Sequence, residues 1–258
     1  MAGRTTRSKS RRWAMTDRRA VHAQSAYVLH AQPYRETSLL LDTFSRAFGR
    51  VAMIARGARR PRSALRGVLL EFQPLALDWF GKGEVRTLAR AEWLGGYPML
   101  RGEALICGYY LNELLVRMLP REDAHEGLFD AYQRTLRSLG SGEPLAPTLR
   151  GFEKALLAEL GYALSLGVDC VTGTALDPAA DYRYDPDRGP VDARIDATDT
   201  RPPDPVLRGR TLLDIARDDY SDPRTLAEAK LLMRALISRR LEYRPLSSRR
   251  VFKDLLEL

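Results

Sequence analysis

The sequence predicts an α+β protein in which an N-terminal five-stranded antiparallel barrel precedes an all-helical domain with a small inserted hairpin. Two observations support this. Strand-like runs fill residues 21–92 with no helical crossover between them, which favours an antiparallel barrel. After Gly95 the apolar residues change to the 3.6-residue spacing of helices. We therefore expect a disordered basic extension at residues 1–20, a barrel at 21–95 and a helical domain at 96–258.

The predicted strands are short and bounded by turn residues. They cover residues 21–31, 37–44, 50–55, 67–80 and 84–92. Pro74 interrupts the fourth run, which suits an edge or a bulge because proline cannot donate to a strand ladder. Gly81 and Gly83 form a tight hairpin into the fifth run.

The helical part is predicted from apolar spacing and end signals. Helices are expected at residues 101–119, 122–139, 147–161 and about 222–242, and a last one begins at Ser247. Pro147 suits a first helical turn and Gly161 suits a helix end. Residues 177–205 are rich in Asp and Pro and poor in apolar side chains, so we expect an acidic hairpin or loop there.

Charge is distributed unevenly along the chain. Residues 1–90 hold 18 Lys and Arg against 6 Asp and Glu, whereas the rest holds 23 against 27. A basic module beside a near-neutral one indicates that the first grips a polyanion. A five-stranded barrel that is also strongly basic favours the OB type, which commonly binds oligonucleotides.

Cysteine content and hydropathy limit the compartment. Cys107 and Cys170 are the two cysteines, and neither lies in a C-x-x-C pair, so we expect a reducing environment without a disulfide framework. No run of about 18 apolar residues is present to span a bilayer. These features predict a cytoplasmic protein, nucleoid-associated if it binds DNA, with no membrane partner.

A carboxylate-free strip carries the strongest functional signal. No Asp or Glu lies between Asp42 and Glu71, yet the strip contains seven arginines, and we expect them to lack internal partners. Gly57 and Pro61 place its centre on an exposed loop between strands. Two interpretations are open: a charged loop that contacts only solvent, or a loop whose guanidinium groups bind phosphates through bidentate hydrogen bonds. The predicted nucleic-acid contacts are Arg50, Arg56, Arg59, Arg60, Arg62 and Arg66.

Two further patterns are compatible with an anionic ligand. Most of the aromatic residues among these arginines are expected in the barrel core, and one or two are expected to stack bases. They are Tyr27, Tyr34, Phe44, Phe48, Phe72, Trp79 and Phe80. Arg249 and Arg250 fall in a predicted first helical turn, where the helix dipole disfavours cations. Either these two arginines pair with acids elsewhere in the fold or they bind an anionic partner. Together with Arg244 they are predicted as secondary basic contacts for the nucleic acid.

No catalytic or metal-binding constellation is visible, so we predict neither an enzyme nor a cofactor. Gly81-Lys82 lacks the glycine and the hydroxyl of a P-loop, because Ala76 and Gly83 occupy those positions. Asp185-x-Asp187 resembles the start of a calcium loop but is followed by Pro190 where the turn glycine belongs. The three histidines have no acid or thiol at ligand spacing.

Several short motifs resemble the RecO family of bacterial recombination mediators. In the barrel these are Tyr27-Val-Leu-His30, Glu36-Thr-Ser38, Arg56-Gly-Ala-Arg59 and Gln73-Pro74. In the helical part they are Tyr110-Leu-Asn-Glu-Leu-Leu115, Arg150-x-Phe152-Glu153 and Arg244-Pro-Leu246. The resemblance covers residues 21–256 in register.

The resemblance implies a function and a set of partners. Members of this family bind single- and double-stranded DNA, anneal complementary strands and, with RecR, help load RecA onto DNA coated by single-strand-binding protein (SSB). It also implies that the SSB C-terminal tail binds the helical domain. The position carried over is Arg150, which we expect at the start of the predicted helix 147–161, where the helix dipole favours carboxylates. Some members hold zinc through four cysteines, whereas this sequence keeps only Cys170, so no metal is predicted.

Two other functions remain alternatives at this point. An OB-fold RNA-binding factor acting on ribosome or tRNA would show the same basic barrel. A metal-dependent hydrolase would use the carboxylates of residues 181–196.

Overall fold

The structure, a computed structural model, describes residues 20–96, 98–194 and 204–248. The predicted basic extension up to residue 19 lies outside these ranges, as do Arg249 and Arg250. The described chain forms an N-terminal barrel and a C-terminal helical domain with a small sheet. This architecture confirms the predicted fold class.

Five strands form the closed barrel. They are β1 (Val21–Tyr34), β2 (Ser38–Ser45), β3 (Gly49–Ala55), β4 (Leu75–Phe80) and β5 (Val85–Trp93). Around the barrel the order is β1-β2-β3-β5-β4, and β4 returns to β1. Neighbouring strands are antiparallel except β3 and β5, which are parallel. The chain must therefore cross from the end of β3 to the far side of the barrel before β4 begins.

The crossing explains why the fourth predicted strand was too long. Only its second half is β4, while Ala64–Gly67 forms a short 3-10 helix. Leu69 and Phe72 in between are 7% and 6% exposed but lie outside the sheet. Leu69 packs in the barrel core, whereas Phe72 packs among the helices, with its ring 5.1 Å from that of Tyr109. Phe72 has a φ of 64°, a left-handed conformation incompatible with a regular strand. Pro74 therefore precedes the strand instead of interrupting it.

Five helices form the second domain in the described ranges. They are α1 (Gly102–Met118), α2 (Glu126–Ser141), α3 (Leu145–Glu159), α4 (Gly209–Ala216) and α5 (Pro223–Arg240). Asp222 caps α5 by accepting a hydrogen bond from the Arg224 amide, and Pro223 occupies the first helical position. None of these helices combines the length and the apolarity that crossing a membrane requires.

A three-stranded sheet is formed by residues that lie between α3 and α4 in the sequence. It contains β6 (Asp181–Asp185), β7 (Gly189–Asp192) and β8 (Val206–Arg208), with β6 in the centre. The β6–β7 hairpin agrees with the predicted hairpin, whereas α4 was not predicted. Its eight residues follow a proline-rich stretch, and so short a helix gives little periodic signal.

β1 joins the barrel core to the core of the helical domain because it is buried on both faces. Ala26 and Val28 point into the barrel, whereas Tyr27 and Leu29 pack among the helices. Alternate residues of a strand face opposite sides, so one strand serves both cores. The hydroxyl of Tyr132 on α2 reaches Asn112 on α1, whose amide donates to the Leu29 carbonyl.

Candidate nucleic-acid interface

The loop that follows β3 is held by its own backbone. The amide of Arg59 donates to the carbonyl oxygen of Thr37 at 2.9 Å, which ties the loop to the β1–β2 turn. The amide of Arg60 donates to the carbonyl oxygen of Gly57, whose φ of 70° favours glycine. The Ser63 amide donates to the Arg60 carbonyl and the 3-10 helix follows. We call residues 56–67 the arginine loop; backbone hydrogen bonds hold its conformation.

All five arginines of the arginine loop are exposed. They are Arg56, Arg59, Arg60, Arg62 and Arg66. Within the described part of the chain, none of them is within ion-pair distance of a carboxylate. Arg59 is the most constrained, since its Nη1 donates to the carbonyl oxygens of Arg35 and Glu36 at 3.3 Å. The loop thus presents several guanidinium forks free to bind phosphate oxygens.

Arg35 extends this basic surface and was missed from the sequence. It is exposed in the β1–β2 turn, and its guanidinium carbon lies 5.3 Å from the centroid of the Tyr34 ring. Its carbonyl oxygen accepts from Arg59, so the two residues adjoin although they are far apart in sequence. In OB folds the turn after the first strand often contacts the nucleic acid, and that rule is the signal that would have found Arg35.

A cavity of about 290 Å³ opens beside the arginine loop. Its apolar walls come from Leu39 on β2 and from Ala58, Leu65 and Leu69. Arg59 and Arg66 complete the lining. A larger hollow of about 590 Å³ lies at the junction of the two domains, between residues 94–96 and Pro98 on one side and α2 on the other.

The expectation that the strip lacks internal partners is wrong at its first two arginines. Arg46 forms a bidentate pair with Asp130 on α2, with contacts of 2.6 and 2.8 Å. Arg50 pairs with Asp42 at 3.1 Å and donates to the carbonyl oxygens of Val116 and Leu119 at the end of α1. Its side chain is 12% exposed. Arg50 therefore joins the barrel to the helices and offers little to a nucleic acid.

Most of the aromatic residues singled out above are buried. Tyr27, Phe44, Phe72 and Trp79 are at most 6% exposed. Phe48 is 38% exposed but lies in the β2–β3 turn, at the opposite end of β3 from the arginine loop. The prediction that one or two aromatic rings stack bases stays a prediction.

Arg150 is not at a helix start, as the sequence suggested, but in the second turn of α3. Its side chain is 9% exposed, and Nη2 donates to Glu153 at 2.7 Å. The same carboxylate accepts from the hydroxyl of Tyr110 on α1 at 2.6 Å. Among the described residues, none is a hydrogen-bond partner of Arg150 Nε. An incoming carboxylate thus meets a guanidinium already engaged by Glu153.

The C-terminal basic residues are only partly described. Arg244 is exposed and pairs with Glu242. Glu113 on α1 accepts hydrogen bonds from the amides of Ser247 and Ser248 at 2.8 Å. These hydrogen bonds place a carboxylate at the start of the last predicted helix, as the helix dipole favours. They also lower the pKa of Glu113 against the opposing effect of burial.

The acidic hairpin uses its carboxylates internally. Asp185 accepts from the amides of Asp187 and Arg188, and Asp187 pairs with Arg239 at 2.6 Å. In the described ranges no three His, Cys, Asp or Glu side chains come together as a metal site would require.

Comparison with known proteins identifies the family. The family model described as "Recombination protein O N terminal" matches residues 20–97, and "Recombination protein O C terminal" matches residues 99–250. A relative from Azoarcus sp. (strain BH72) named "DNA repair protein RecO" is 55% identical over 95% of this chain and all of its own length. A relative of the same name from Dechloromonas aromatica (strain RCB) is 54% identical with the same coverage. The chain belongs to the RecO family. The sequence resemblance is thereby confirmed.

The turn beside Cys170 is stabilised by one buried carboxylate. Asp169, which is 3% exposed, lies next to Cys170. Its Oδ1 accepts from the amides of Val171 and Thr172, and its Oδ2 accepts from the amide of Asp192 on β7. One carboxylate thus forms the turn at residues 169–174 and ties it to the hairpin. Burial raises the pKa of Asp169, but the hydrogen bonds from Thr172, Val171 and Asp192 outweigh it and lower the pKa overall.

Proposed function

We propose that this chain is a recombination mediator without catalytic activity. It binds single- and double-stranded DNA, anneals complementary strands and, with RecR, helps load RecA onto SSB-coated single-stranded DNA during recombinational repair. Acting on DNA, it is associated with the nucleoid in the cytoplasm. The proposal joins the family assignment, whose members are named DNA repair proteins, to the surface described above.

The observation that carries the proposal is the arginine loop. Arg56, Arg60, Arg62 and Arg66 are exposed and have no ion-pair partner in the described ranges. Four unpaired like charges on one short loop repel one another, so the arrangement is unfavourable if the loop contacts only solvent. A phosphate backbone neutralises them and releases its counterions, which favours binding entropically.

Protein partners follow from the family and from the helical domain. We propose RecR and the SSB C-terminal tail as direct partners and RecA as an indirect one. For the SSB tail we propose Arg150 as the cation that meets a tail carboxylate. Arg150 Nη2 already donates to Glu153 at 2.7 Å. The tail must therefore displace Glu153 or accept hydrogen bonds from guanidinium N–H groups of Arg150 that do not contact Glu153. Arg244, Arg249 and Arg250 remain proposed secondary contacts for DNA.

Competition binding tests the nucleic-acid partner. Labelled single-stranded DNA bound to the purified protein is challenged with unlabelled DNA or RNA of equal length and sequence. We expect DNA to compete at least as well as RNA, and complementary strands to anneal faster in the presence of the protein. Clear preference for RNA without annealing would favour the RNA-binding alternative. Pull-down with the C-terminal tail peptide of SSB tests the second partner.

A further inference from the structure

The cavity beside the arginine loop combines two chemistries that a phosphate site alone does not need. Four of its lining residues are apolar: Leu39, Ala58, Leu65 and Leu69, which we call the floor. The other two, which we call the rim, are the basic residues Arg59 and Arg66. A phosphate group pressed onto that floor would lose water without gaining hydrogen bonds. The floor therefore favours a ligand with an apolar face and the rim favours a planar, electron-rich one.

We propose that this cavity takes one unstacked nucleobase of single-stranded DNA. The inference rests on the proposed DNA-binding function and adds a contact to it. The faces of a base are apolar and suit the leucine floor, while guanidinium planes stack on bases. Neighbouring phosphates then lie against Arg56, Arg60 and Arg62 on the same loop. At about 290 Å³ the cavity is at the lower end of small-molecule sites and suits one group of this size.

The rim is held in place before the ligand arrives. Arg59 is fixed at its backbone amide by Thr37 and at Nη1 by the carbonyl oxygens of Arg35 and Glu36. Fixing a long side chain in advance lowers the entropy lost on binding. The amide of Arg66 donates to the carbonyl oxygen of Ser63, so the second arginine of the rim is anchored at its backbone.

The location suits a single-stranded ligand. Leu39 lies at the start of β2 and pairs with Ala55 at the end of β3, on the strand pair that OB folds use for oligonucleotides. A duplex keeps its bases stacked and paired, so it reaches the phosphate-binding arginines but leaves this cavity empty. The cavity consequently favours single strands of any sequence, since every base has a face to stack.

Binding of abasic DNA separates the base contact from the phosphate contacts. The probes are a labelled thymidine oligonucleotide and a strand of equal length and phosphate number in which abasic residues replace every nucleotide. We expect the full-length protein to bind the thymidine strand about tenfold more tightly, within the range for stacking one base. Both affinities are measured across salt concentrations.

Two variants assign the preference to this cavity. Leu65→Gln makes the floor polar, and Arg66→Lys keeps the charge but removes the planar group. Each is expected to abolish most of the tenfold preference while leaving the salt slope unchanged. Thermal unfolding verifies that the Leu65 variant is folded, and Arg66 is exposed, so its replacement does not threaten the fold.

The outcomes distinguish this inference from the proposed function. Equal, salt-dependent binding of both strands by the wild-type protein would overturn the base site and leave DNA binding intact. A preference that survives in both folded variants would place the base contact elsewhere and also overturn it. Failure to bind either strand at low salt would overturn the proposed function together with this inference.

Discussion

The guanidinium of Arg50 on β3 lies 3.1 Å from the carboxylate of Asp42 on β2, and both side chains are largely enclosed at the domain junction. The same guanidinium donates to the carbonyl oxygens of Val116 and Leu119, so it also caps the end of α1. Burial raises the pKa of Asp42 although Arg50 and Arg121 oppose the shift. One ion pair in the barrel thereby fixes where the helical domain attaches.

Removing Arg50 alone should strongly destabilise the protein. Arg50→Met leaves the enclosed Asp42 carboxylate with a weaker ion pair, to Arg121 at 3.7 Å, and we expect the free energy of unfolding to fall by about 3 kcal/mol. The double variant Arg50→Met/Asp42→Asn should recover part of this loss, because no uncompensated charge remains. Urea denaturation of both variants measures the difference. Equal losses in the single and the double variant would contradict this account of the pair.

Replacing Arg59, Arg60 and Arg62 by Ala should weaken single-stranded DNA binding regardless of sequence. The slope of log K against log salt should become shallower by up to about 2, at roughly 0.7 per lost phosphate contact. Stability should change little, since exposed charges without partners contribute almost nothing. A titration across salt concentrations measures the slope.

A matched triple variant controls for the change in net charge. Arg134, Arg217 and Arg234 are exposed on the helical domain, and replacing them by Ala removes the same charge from another surface. We expect this control to keep most of the wild-type slope. If both triple variants lose slope equally, the effect is one of net charge and the arginine loop is not the DNA contact.

The proposed tail contact at Arg150 needs a comparison that spares the fold. Arg150→Ala alone leaves Glu153, which is 1% exposed, without its cation, so loss of binding would be confounded by instability. The informative pair is Glu153→Gln with and without Arg150→Met. We expect the second change to weaken binding of the SSB tail peptide about tenfold or more, as for loss of a charge-assisted hydrogen bond, and to leave DNA affinity unchanged. Fluorescence anisotropy measures both, and parallel losses would refute separate sites.

Asp169 should contribute stability that depends on pH. Its folded-state pKa is lowered, so its contribution is present above the unfolded pKa of about 3.9 and is lost as pH falls through the folded pKa. In wild type, Asp169 Oδ2 accepts a hydrogen bond from the Asp192 amide. Asp169→Asn puts an NH₂ group, itself a donor, against that amide, and we expect the free energy of unfolding to fall by about 1–3 kcal/mol at neutral pH. The difference in the free energy of unfolding between wild type and variant should become smaller as the pH falls. A gap independent of pH would show that ionisation of Asp169 is irrelevant.

The protein should fold without structural zinc. Cys170 is half-buried, and burial raises the pKa of its thiol, which opposes the thiolate form that zinc requires. Its neighbour Asp169 already holds the turn with three backbone hydrogen bonds. Metal analysis of protein purified without an affinity tag should find far less than one zinc per chain. Near-stoichiometric zinc that chelators remove together with the fold would contradict the expectation.

The sequence by itself determined the fold class, the family and the position of the arginine loop. Each depends on local pattern: strand-like runs without a crossover, apolar spacing after Gly95, and Gly57 and Pro61 around a basic turn. Local pattern failed where the chain crosses the barrel, since Leu69 and Phe72 look like strand residues but lie outside the sheet, Leu69 in the barrel core and Phe72 among the helices. It also missed α4, which is too short to show a period.

Only the tertiary structure decided which charges are available to a ligand. A carboxylate-free stretch of sequence suggested seven unpaired arginines, yet Arg46 meets Asp130 and Arg50 meets the end of α1, 84 and 66 residues away in the chain. Arg150 likewise looked free at a helix start and is enclosed beside Glu153. An ion pair depends on distance in space and on the water that burial removes. Sequence separation limits neither, so the free and the engaged arginines became distinguishable only once the barrel had packed against the helices.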